Sequence, residues 1–211
     1  MKQNFEYRNA AFDMLKADWK GAVLLYFAIS IIPLIIGTVL GSILGNNEIL
    51  SSFSSLLLEV FVSFPLVYLL NNEILKFVRG GKIEVSKELV EPFKADYLKA
   101  INVFGLSAIY IALWTLLLII PGIIKSYSYR MAAYISMNNE NLTAEECINL
   151  SMKLMNGNKM KLFLLDLSFI GWILLSIITL GIGFLWVAPY NLTAQTLMFE
   201  DIMKTNQIEK Q

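Results

Sequence analysis

Four ionisable side chains lie inside long apolar stretches of the sequence. Lys125 and Arg130 follow the apolar run that begins at Leu113, while Asp166 and Glu59 each interrupt another run. A charged side chain near the centre of a bilayer costs about 2.5–3.5 kcal/mol on insertion scales, so such residues usually line a functional path or pair with one another. These four residues form the candidate intramembrane polar site, which would suit a substrate, an ion or a lipid headgroup.

Arg130 and Asp166 are predicted to lie at nearly the same depth on consecutive antiparallel helices. At about 1.5 Å per residue, Arg130 lies ~11 Å and Asp166 ~10 Å from the cytoplasmic ends of their spans. We therefore expect an ion pair that fixes the register of the two helices, the alternative being a hydrated functional cavity. Lys125 lies close enough to the outer surface to snorkel. Glu59 lies either in the same interior or near the outer surface.

The residue inventory argues against an enzyme. The chain has no histidine, which removes the usual general base and the commonest metal ligand. Cys147 is the only cysteine, so neither an intrachain disulfide nor a cysteine cluster can form. We find no candidate catalytic, cofactor-binding or metal-binding residue and expect no cofactor. The formal net charge is zero, which gives no reason to expect a nucleic-acid partner.

The elements that must position the four charged residues are transmembrane helices. The 211 residues are 56% hydrophobic and 16% charged, against about 25% charged in ordinary soluble domains. The apolar residues occur in runs long enough to cross a bilayer. The pattern predicts an all-α polytopic membrane protein with six transmembrane helices, at 21–44, 49–78, 101–120, 121–137, 160–178 and 184–199.

The six spans are predicted to form three helical hairpin repeats. Similar short segments lead into the odd-numbered spans, and each even-numbered span carries a proline: Lys16–Trp19, Lys94–Tyr97 and Asn156–Lys159, with Pro65, Pro121 and Pro189. The chain then forms one membrane domain, divided into interfacial helix 1–20, hairpin 21–78, cytoplasmic loop 79–100, hairpin 101–137, interfacial helix 138–158, hairpin 159–203 and tail 204–211.

The distribution of lysine and arginine predicts the orientation of these spans. Apart from Lys125 and Arg130, every basic residue lies in the N-terminal segment, in or next to the connections after the second and fourth spans, or in the tail. The other connections hold none. By the positive-inside rule, both termini are cytoplasmic.

Two amphipathic segments are predicted to lie in the membrane interface. The first runs from Phe5 to Trp19 and places Phe5, Phe12, Leu15 and Trp19 on one face. The second begins with a capping box of Thr143 and Glu146, followed by an apolar face of Cys147, Ile148, Ser151, Leu154 and Met155. A shorter amphipathic piece is predicted at 89–93, within the cytoplasmic loop.

The first span carries a series of glycines at four-residue spacing. Gly37, Gly41 and Gly45 form two overlapping GxxxG motifs, which let another helix approach closely. Packing between hairpins of the same chain is the favoured interpretation, and a homodimer face is the alternative.

The second half of the chain resembles a bacterial membrane family called domain of unknown function 975. The resemblance rests on LWTLLLIIPGIIKSYSY (113–129), INLSMKLMNGNKMKLFLLDLSFIGWILLSIITLGIGFLW (148–186) and APY (188–190). It covers about residues 100–203, whereas 45–75 depart from the pattern, with Phe64-Pro65 where the family tends to have Gly-Pro. The family is distantly similar to the membrane domain attached to some glycerophosphodiester phosphodiesterases, which is not their catalytic domain. The resemblance implies a bacterial cytoplasmic membrane protein and supplies no site residues.

These observations favour a non-enzymatic protein that assists or scaffolds a membrane transport, export or envelope complex. Its expected partners are the lipid bilayer and either another membrane protein or further copies of itself. The alternative is a small carrier for a lipid or another amphiphile, since repeated hairpins with broken helices are common in transporters. A water-accessible cavity reaching Arg130 would favour the carrier, and a fully paired charge would favour the scaffold.

Overall fold

All regular structure in the described part of the chain is helical. The computed structural model describes residues 2–45, 47–83, 85, 97–139 and 141–206. The first half contains α1 (Asn4–Leu15), α2 (Trp19–Leu44), α3 (Glu48–Leu58), a π-helical turn (Glu59–Ser63) and α4 (Phe64–Val78). The second half contains α5 (Tyr97–Leu117), α6 (Ile119–Tyr129), α7 (Ala132–Asn138), α8 (Ala144–Leu154), α9 (Lys159–Leu167), α10 (Ile170–Ile178) and α11 (Phe184–Thr205).

The buried core lies where α1, α4, α7, α8 and α11 meet, and we call this region the base. Helix α11 packs against α1 and α4, while α7 packs against α8 and α4. The large side chains that are fully buried there include Tyr7, Leu66, Ile135, Ile148 and Phe199. Burial of these side chains is the main stabilising contribution to the base.

Apolar helical hairpins extend from the base and expose their side chains. Helix α2 buries nothing beyond Ile29, and α3 buries nothing at all. At the turns of the other two hairpins, Leu116 and Leu180 are 87% and 94% exposed. Exposed apolar surface of this extent indicates a membrane protein, because contiguous patches of this kind are rare on soluble monomers.

Four helices in the described part are long and apolar enough to cross a membrane. They are Trp19–Leu44, Glu48–Val78, Tyr97–Leu117 and Lys159–Ile178. Together they indicate a membrane protein and agree with the predicted first, second, third and fifth spans. The prediction of six spans is not confirmed, because the predicted fourth and sixth spans are not among these helices.

The predicted fourth span is broken, not continuous. Helix α6 ends at Tyr129 and α7 begins at Ala132. Most side chains of α7 are buried, so the segment after the break belongs to the base. Ser151 of α8 satisfies backbone groups on both sides of the break: its hydroxyl donates to the Ser128 carbonyl oxygen at 2.8 Å and accepts from the Met131 N–H at 3.1 Å. The predicted sixth span lies on the continuous helix α11, whose polar residues lower its hydropathy.

The second and third hairpins have matching corners. A Cβ placed on Gly122 would lie 2.8 Å from the Thr115 Cα, and one placed on Gly183 would lie 2.7 Å from the Ser176 Cα. In both hairpins the glycine follows the small hydroxyl residue by seven positions. Only glycine allows the two segments to approach this closely.

The two predicted interfacial helices both pack against protein. Helix α1 buries Tyr7, Ala11 and Leu15, while Phe5 and Phe12 remain 55% and 41% exposed, so only part of its apolar surface is available to lipid. The capping box of α8 is confirmed, with the Thr143 N–H donating to the Glu146 carboxylate at 2.8 Å. The apolar face of α8 is buried against α5, α6 and α7, and the placement of this helix in the membrane interface stays a prediction.

The glycine series does not form the expected intrachain contact. A Cβ on Gly37 would meet only the Leu58 side chain, at 4.0 Å, and no atom lies within 4 Å of a Cβ placed on Gly41 or Gly45. Among the described residues, the Leu58 side chain of α3 is therefore the one group that comes within 4 Å of this glycine face. The predicted amphipathic piece at 89–93 and the lead-in Lys94–Asp96 lie outside the described residues.

Candidate functional site

Asp166 lies at the centre of a polar network that joins three helices. Its Oδ1 atom accepts a 2.6 Å hydrogen bond from Gln195 Nε2 and a 3.4 Å hydrogen bond from Asn191 Nδ2. Its Oδ2 atom accepts a 3.2 Å hydrogen bond from the Tyr127 hydroxyl. Gln195 Nε2 also donates to Asn191 Oδ1 at 2.7 Å, which closes the network. We call these four residues the Asp166 network.

Local helix geometry brings the members of the network together. Asn191 and Gln195 are four residues apart on α11, so their side chains lie on one face of that helix. Asp166 lies near the end of α9, and the ring of Tyr127 on α6 makes an edge contact with Phe163 of α9, with centroids 5.9 Å apart. The Gln195 side chain is buried and Asp166 is half-buried. Each carboxylate oxygen therefore has a protein donor in an apolar surrounding.

The predicted ion pair between Arg130 and Asp166 is not formed. Arg130 is the C-cap of α6 and is exposed, and among the described residues it makes no ion pair. Because α6 ends with Arg130 as its C-cap, this residue does not lie on a continuous span that faces α9. Side-chain amides from α11 donate hydrogen bonds to Asp166 instead. A cation at a helix C-terminus interacts favourably with the helix dipole.

Lys125 is stabilised by aromatic rings. Its Nζ lies 4.7 Å from the ring centroid of Trp114 and 5.9 Å from that of Tyr129. The same atom lies 3.8 Å from the Met152 sulfur. A lysine over the face of a tryptophan gains a cation–π interaction, which is stronger where water is excluded. Among the described residues, no ion pair joins Lys125 to Asp166 or to another carboxylate.

Glu59 lies apart from the other three predicted site residues. It begins the π-helical turn between α3 and α4 and is exposed. Its side chain lines a groove of about 990 Å³ between this helix and α5, where Asn102 and Glu145 are also lining residues. The structure thus distributes the four candidates over separate places and assembles a polar network around only one of them.

A second polar cluster, which the sequence did not predict, joins helix ends in the base. Arg79 donates to Glu200 through Nε at 3.0 Å and Nη2 at 2.6 Å, and Nη2 also donates to Asn138 Oδ1 at 2.7 Å. Asp201 accepts from the Tyr7 hydroxyl at 2.5 Å and from the Lys2 N–H at 3.2 Å. We call this set the base clamp.

The surroundings in the base clamp shift the pKa values of two of its residues, Tyr7 and Asp201. Burial and the adjacent Asp201 carboxylate raise the pKa of Tyr7 well above its usual range. Burial disfavours the charged form of Asp201, but the hydrogen bonds from Tyr7 and Lys2 outweigh this and lower the pKa of Asp201. The clamp therefore favours a neutral tyrosine that donates to an ionised carboxylate.

The donor set of the described residues does not form a metal site. No group of three or more histidine, cysteine, aspartate or glutamate side chains in this part of the chain could hold a metal ion. The single cysteine, Cys147, is buried in α8, and burial raises the pKa of its thiol.

Comparison with family models finds a match in the second half of the chain. No curated protein and no solved structure matches the sequence. The segment that matches a family model, residues 109–206, begins within α5 and includes the end of α11. It holds the whole Asp166 network but neither Glu59 nor the helices before it. Residues 109–206 match the model of the family described as a protein of unknown function, DUF975, and this match supports assignment to that family.

Proposed function

We propose that this protein is a non-enzymatic accessory or scaffold protein of the bacterial cytoplasmic membrane. The observation that carries the proposal is the closed environment of Asp166. Its two oxygens accept hydrogen bonds from three side chains on two other helices. A carboxylate engaged in this way links helices and offers little to a passing substrate, because binding would have to replace protein hydrogen bonds.

The position of the groove also supports this proposal. A carrier that uses its intramembrane charges should expose them to a continuous cavity. The large groove opens at Glu59, and neither Asp166 nor Arg130 lines it. We further propose a distant similarity to the membrane domain attached to some glycerophosphodiester phosphodiesterases, which is not their catalytic domain and would accord with an accessory role.

The proposed topology consists of three hairpins that enter the membrane from the cytoplasmic side. The matching corners at Gly122 and Gly183 support a common origin for the second and third hairpins. In the first hairpin, no described residue makes such a close approach at Gly45, which has open space around it. Both four and six crossings place the two termini on the same side, and the basic residues near the base favour the cytoplasmic side.

Cross-linking in intact bacteria followed by purification from solubilised membranes tests the scaffold role. We expect the full-length protein to retain a discrete membrane-protein partner at a fixed stoichiometry in native mass spectrometry. A polytopic membrane protein of similar size, expressed at the same level, serves as the control. Recovery of the chain with lipids alone, or with the same proteins as the control, would contradict the scaffold role.

The carrier alternative retains support from the groove beside Glu59. Asn191→Cys in a Cys147→Ser background distinguishes the two functions, because Asn191 lies at the edge of the Asp166 network. The scaffold function predicts no reaction of this thiol with a water-soluble reagent applied from either side. Rapid reaction would indicate a water-filled path to the network and favour the carrier. Leu180→Cys, at an exposed hairpin corner, provides the reactive control.

A further inference from the structure

The groove beside Glu59 has the form of a binding site for one amphiphilic molecule. It lies between the helix that runs from α3 into α4 and the neighbouring helix α5, and the first turn of α8 closes one side. Its volume of about 990 Å³ lies at the upper end of the ~300–1,000 Å³ usual for small-molecule sites. Most of its lining is aliphatic or aromatic, as in Leu56, Val60, Phe64 and Ile109.

Small residues on α5 create the space. Gly105, Ala108 and Ala112 fall on one face of this helix at helical spacing, and all three line the groove. A Cβ on Gly105 would meet Phe64 of the opposite wall at 4.0 Å, which is ordinary van der Waals distance. The groove is therefore open because these side chains are small, and a long branched side chain at position 105 would fill it.

The charges in the groove select the chemical class of its occupant. Glu59 and Glu145 are the charged residues among the described residues that line it, and no lysine or arginine joins them. Within the described part of the chain, the Glu59 side chain has no hydrogen-bond or ion-pair partner. A carboxylate beside an apolar surface is stabilised by a cation, whereas an anionic headgroup would be repelled.

We propose that this groove binds an amphiphile with a cationic ammonium headgroup, which contacts Glu59, and an alkyl tail, which lies on the apolar wall of α5. Asn102 supplies a neutral hydrogen-bonding group in the same lining. The proposal does not depend on the scaffold role, because a scaffold could hold such a ligand as readily as a carrier could transport it.

Photolabelling of the full-length protein in phosphatidylcholine nanodiscs tests this assignment. The probe is a hexadecyltrimethylammonium that carries a diazirine in its chain, and the comparison probe is hexadecanoate with the same diazirine. We expect saturable labelling of peptides from α3, α4 and α5 by the ammonium probe and much weaker labelling by the carboxylate probe. A neutral lipid is used because anionic lipids would concentrate the cation at the membrane surface.

Two pairs of variants separate charge from shape. Glu59→Gln should weaken binding of the ammonium probe roughly tenfold, the effect of losing one charge contact with the headgroup. Glu48→Gln, which alters an exposed carboxylate at the start of α3 outside the groove, should leave binding unchanged. Gly105→Leu should reduce labelling by both probes, whereas Gly171→Leu, at a helical glycine with open space around it, should not.

Four outcomes would overturn the proposal. Equal labelling by the two probes, or no effect of Glu59→Gln, would show that the carboxylate does not select the ligand. Labelling spread evenly over all exposed apolar helices would show ordinary lipid contact. Absence of saturable labelling in the unmodified protein would show that another part of the chain or a partner occupies the groove.

Discussion

At the scale of single residues, Asp166 shows how the chain accommodates a charge in apolar surroundings. The carboxylate accepts hydrogen bonds from two side-chain amides and one phenol hydroxyl, in place of an ion pair with a cation. Hydrogen bonds to a charged group contribute about 1.5–3 kcal/mol each, and loss of one partner strands the other. The network therefore links α6, α9 and α11 without an ion pair.

A double-mutant cycle between Asp166 and Gln195 tests this network. We expect Asp166→Leu and Gln195→Leu each to lower the free energy of unfolding in detergent by about 2 kcal/mol. The double variant should lose at least about 1 kcal/mol less than the sum, because neither polar group then remains unpaired. Arg130→Gln is the control and should change stability little. Additive losses would contradict coupling between Asp166 and Gln195. A large loss on changing Arg130 would restore the ion-pair interpretation.

Ser151 is the residue on which the break between α6 and α7 depends. Ser151→Ala removes one hydroxyl that serves both sides of the break, at a fully buried position. We expect a loss of about 1–3 kcal/mol, because buried backbone groups are left unsatisfied. Ser52→Ala, at an exposed serine that bonds only within its own helix, should cost much less. If Ser151→Ala and Ser52→Ala lower the stability equally in thermal unfolding, the break is stable without the Ser151 hydroxyl.

The network could be predicted from the sequence only in part. Asp166 stands out because it is an acid in an apolar run, and the four-residue spacing of Asn191 and Gln195 in α11 could also have been recognised. The partner of Asp166 could not be deduced, because depth estimates assume that 121–137 is one straight helix. The break at Arg130 depends on a hydroxyl from α8, a long-range contact that no local pattern shows.

At the scale of helices, glycines at hairpin corners differ from glycines that face open space. Gly122→Ala should strongly destabilise the second hairpin, because the added methyl group would lie 2.8 Å from the Thr115 Cα. Gly41→Ala should be tolerated, since nothing lies within 4 Å of the added methyl group. Thermal unfolding of the two variants in the same detergent measures the difference. Equal losses would mean that the corner is not closely packed in the membrane.

The glycine series also offers a test of the dimer alternative. Gly41→Leu should leave the fold of the single chain intact, because the position faces open space. If a second copy packs on this face, the variant should lower the dimer fraction in native mass spectrometry, since GxxxG contacts need small side chains. An unchanged oligomeric state would exclude this face as a dimer contact.

Acid should weaken the contact between α1 and α11. The pKa of Asp201 is lowered in the folded protein, so its contribution to stability is complete above the ordinary carboxyl pKa of about 4 and is lost as the pH falls through the lower folded value. We expect the Tm advantage of the unmodified protein over Asp201→Asn to be present at pH 7 and to narrow below about pH 4. Asp13→Asn, at an exposed ion pair on α1, should show little such narrowing. A Tm difference that does not change with pH would contradict the lowered pKa of Asp201.

At the scale of the whole molecule, the base holds the buried core and carries apolar hairpins whose exposed surface indicates a membrane protein. The apolar periodicity and length of the runs were sufficient to predict the helical class and four apolar helices. They were insufficient for the segments 121–137 and 184–199, because apolar composition does not show whether a segment contacts lipid or the interior of the base. The same limit applies to α8, whose amphipathic pattern does not show that its apolar face is buried against α5, α6 and α7.

Thiol labelling in intact cells tests the central claim, that the hairpins enter the membrane from the cytoplasmic side. In a Cys147→Ser background, cysteines at Leu118 and Leu180 lie at hairpin corners, and cysteines at Lys82 and Asn156 lie near the base. A membrane-impermeant reagent should label the two corner positions in intact cells and the two base positions only after the membrane is permeabilised. Labelling of Lys82→Cys and Asn156→Cys in intact cells, with the corner positions protected, would contradict the account.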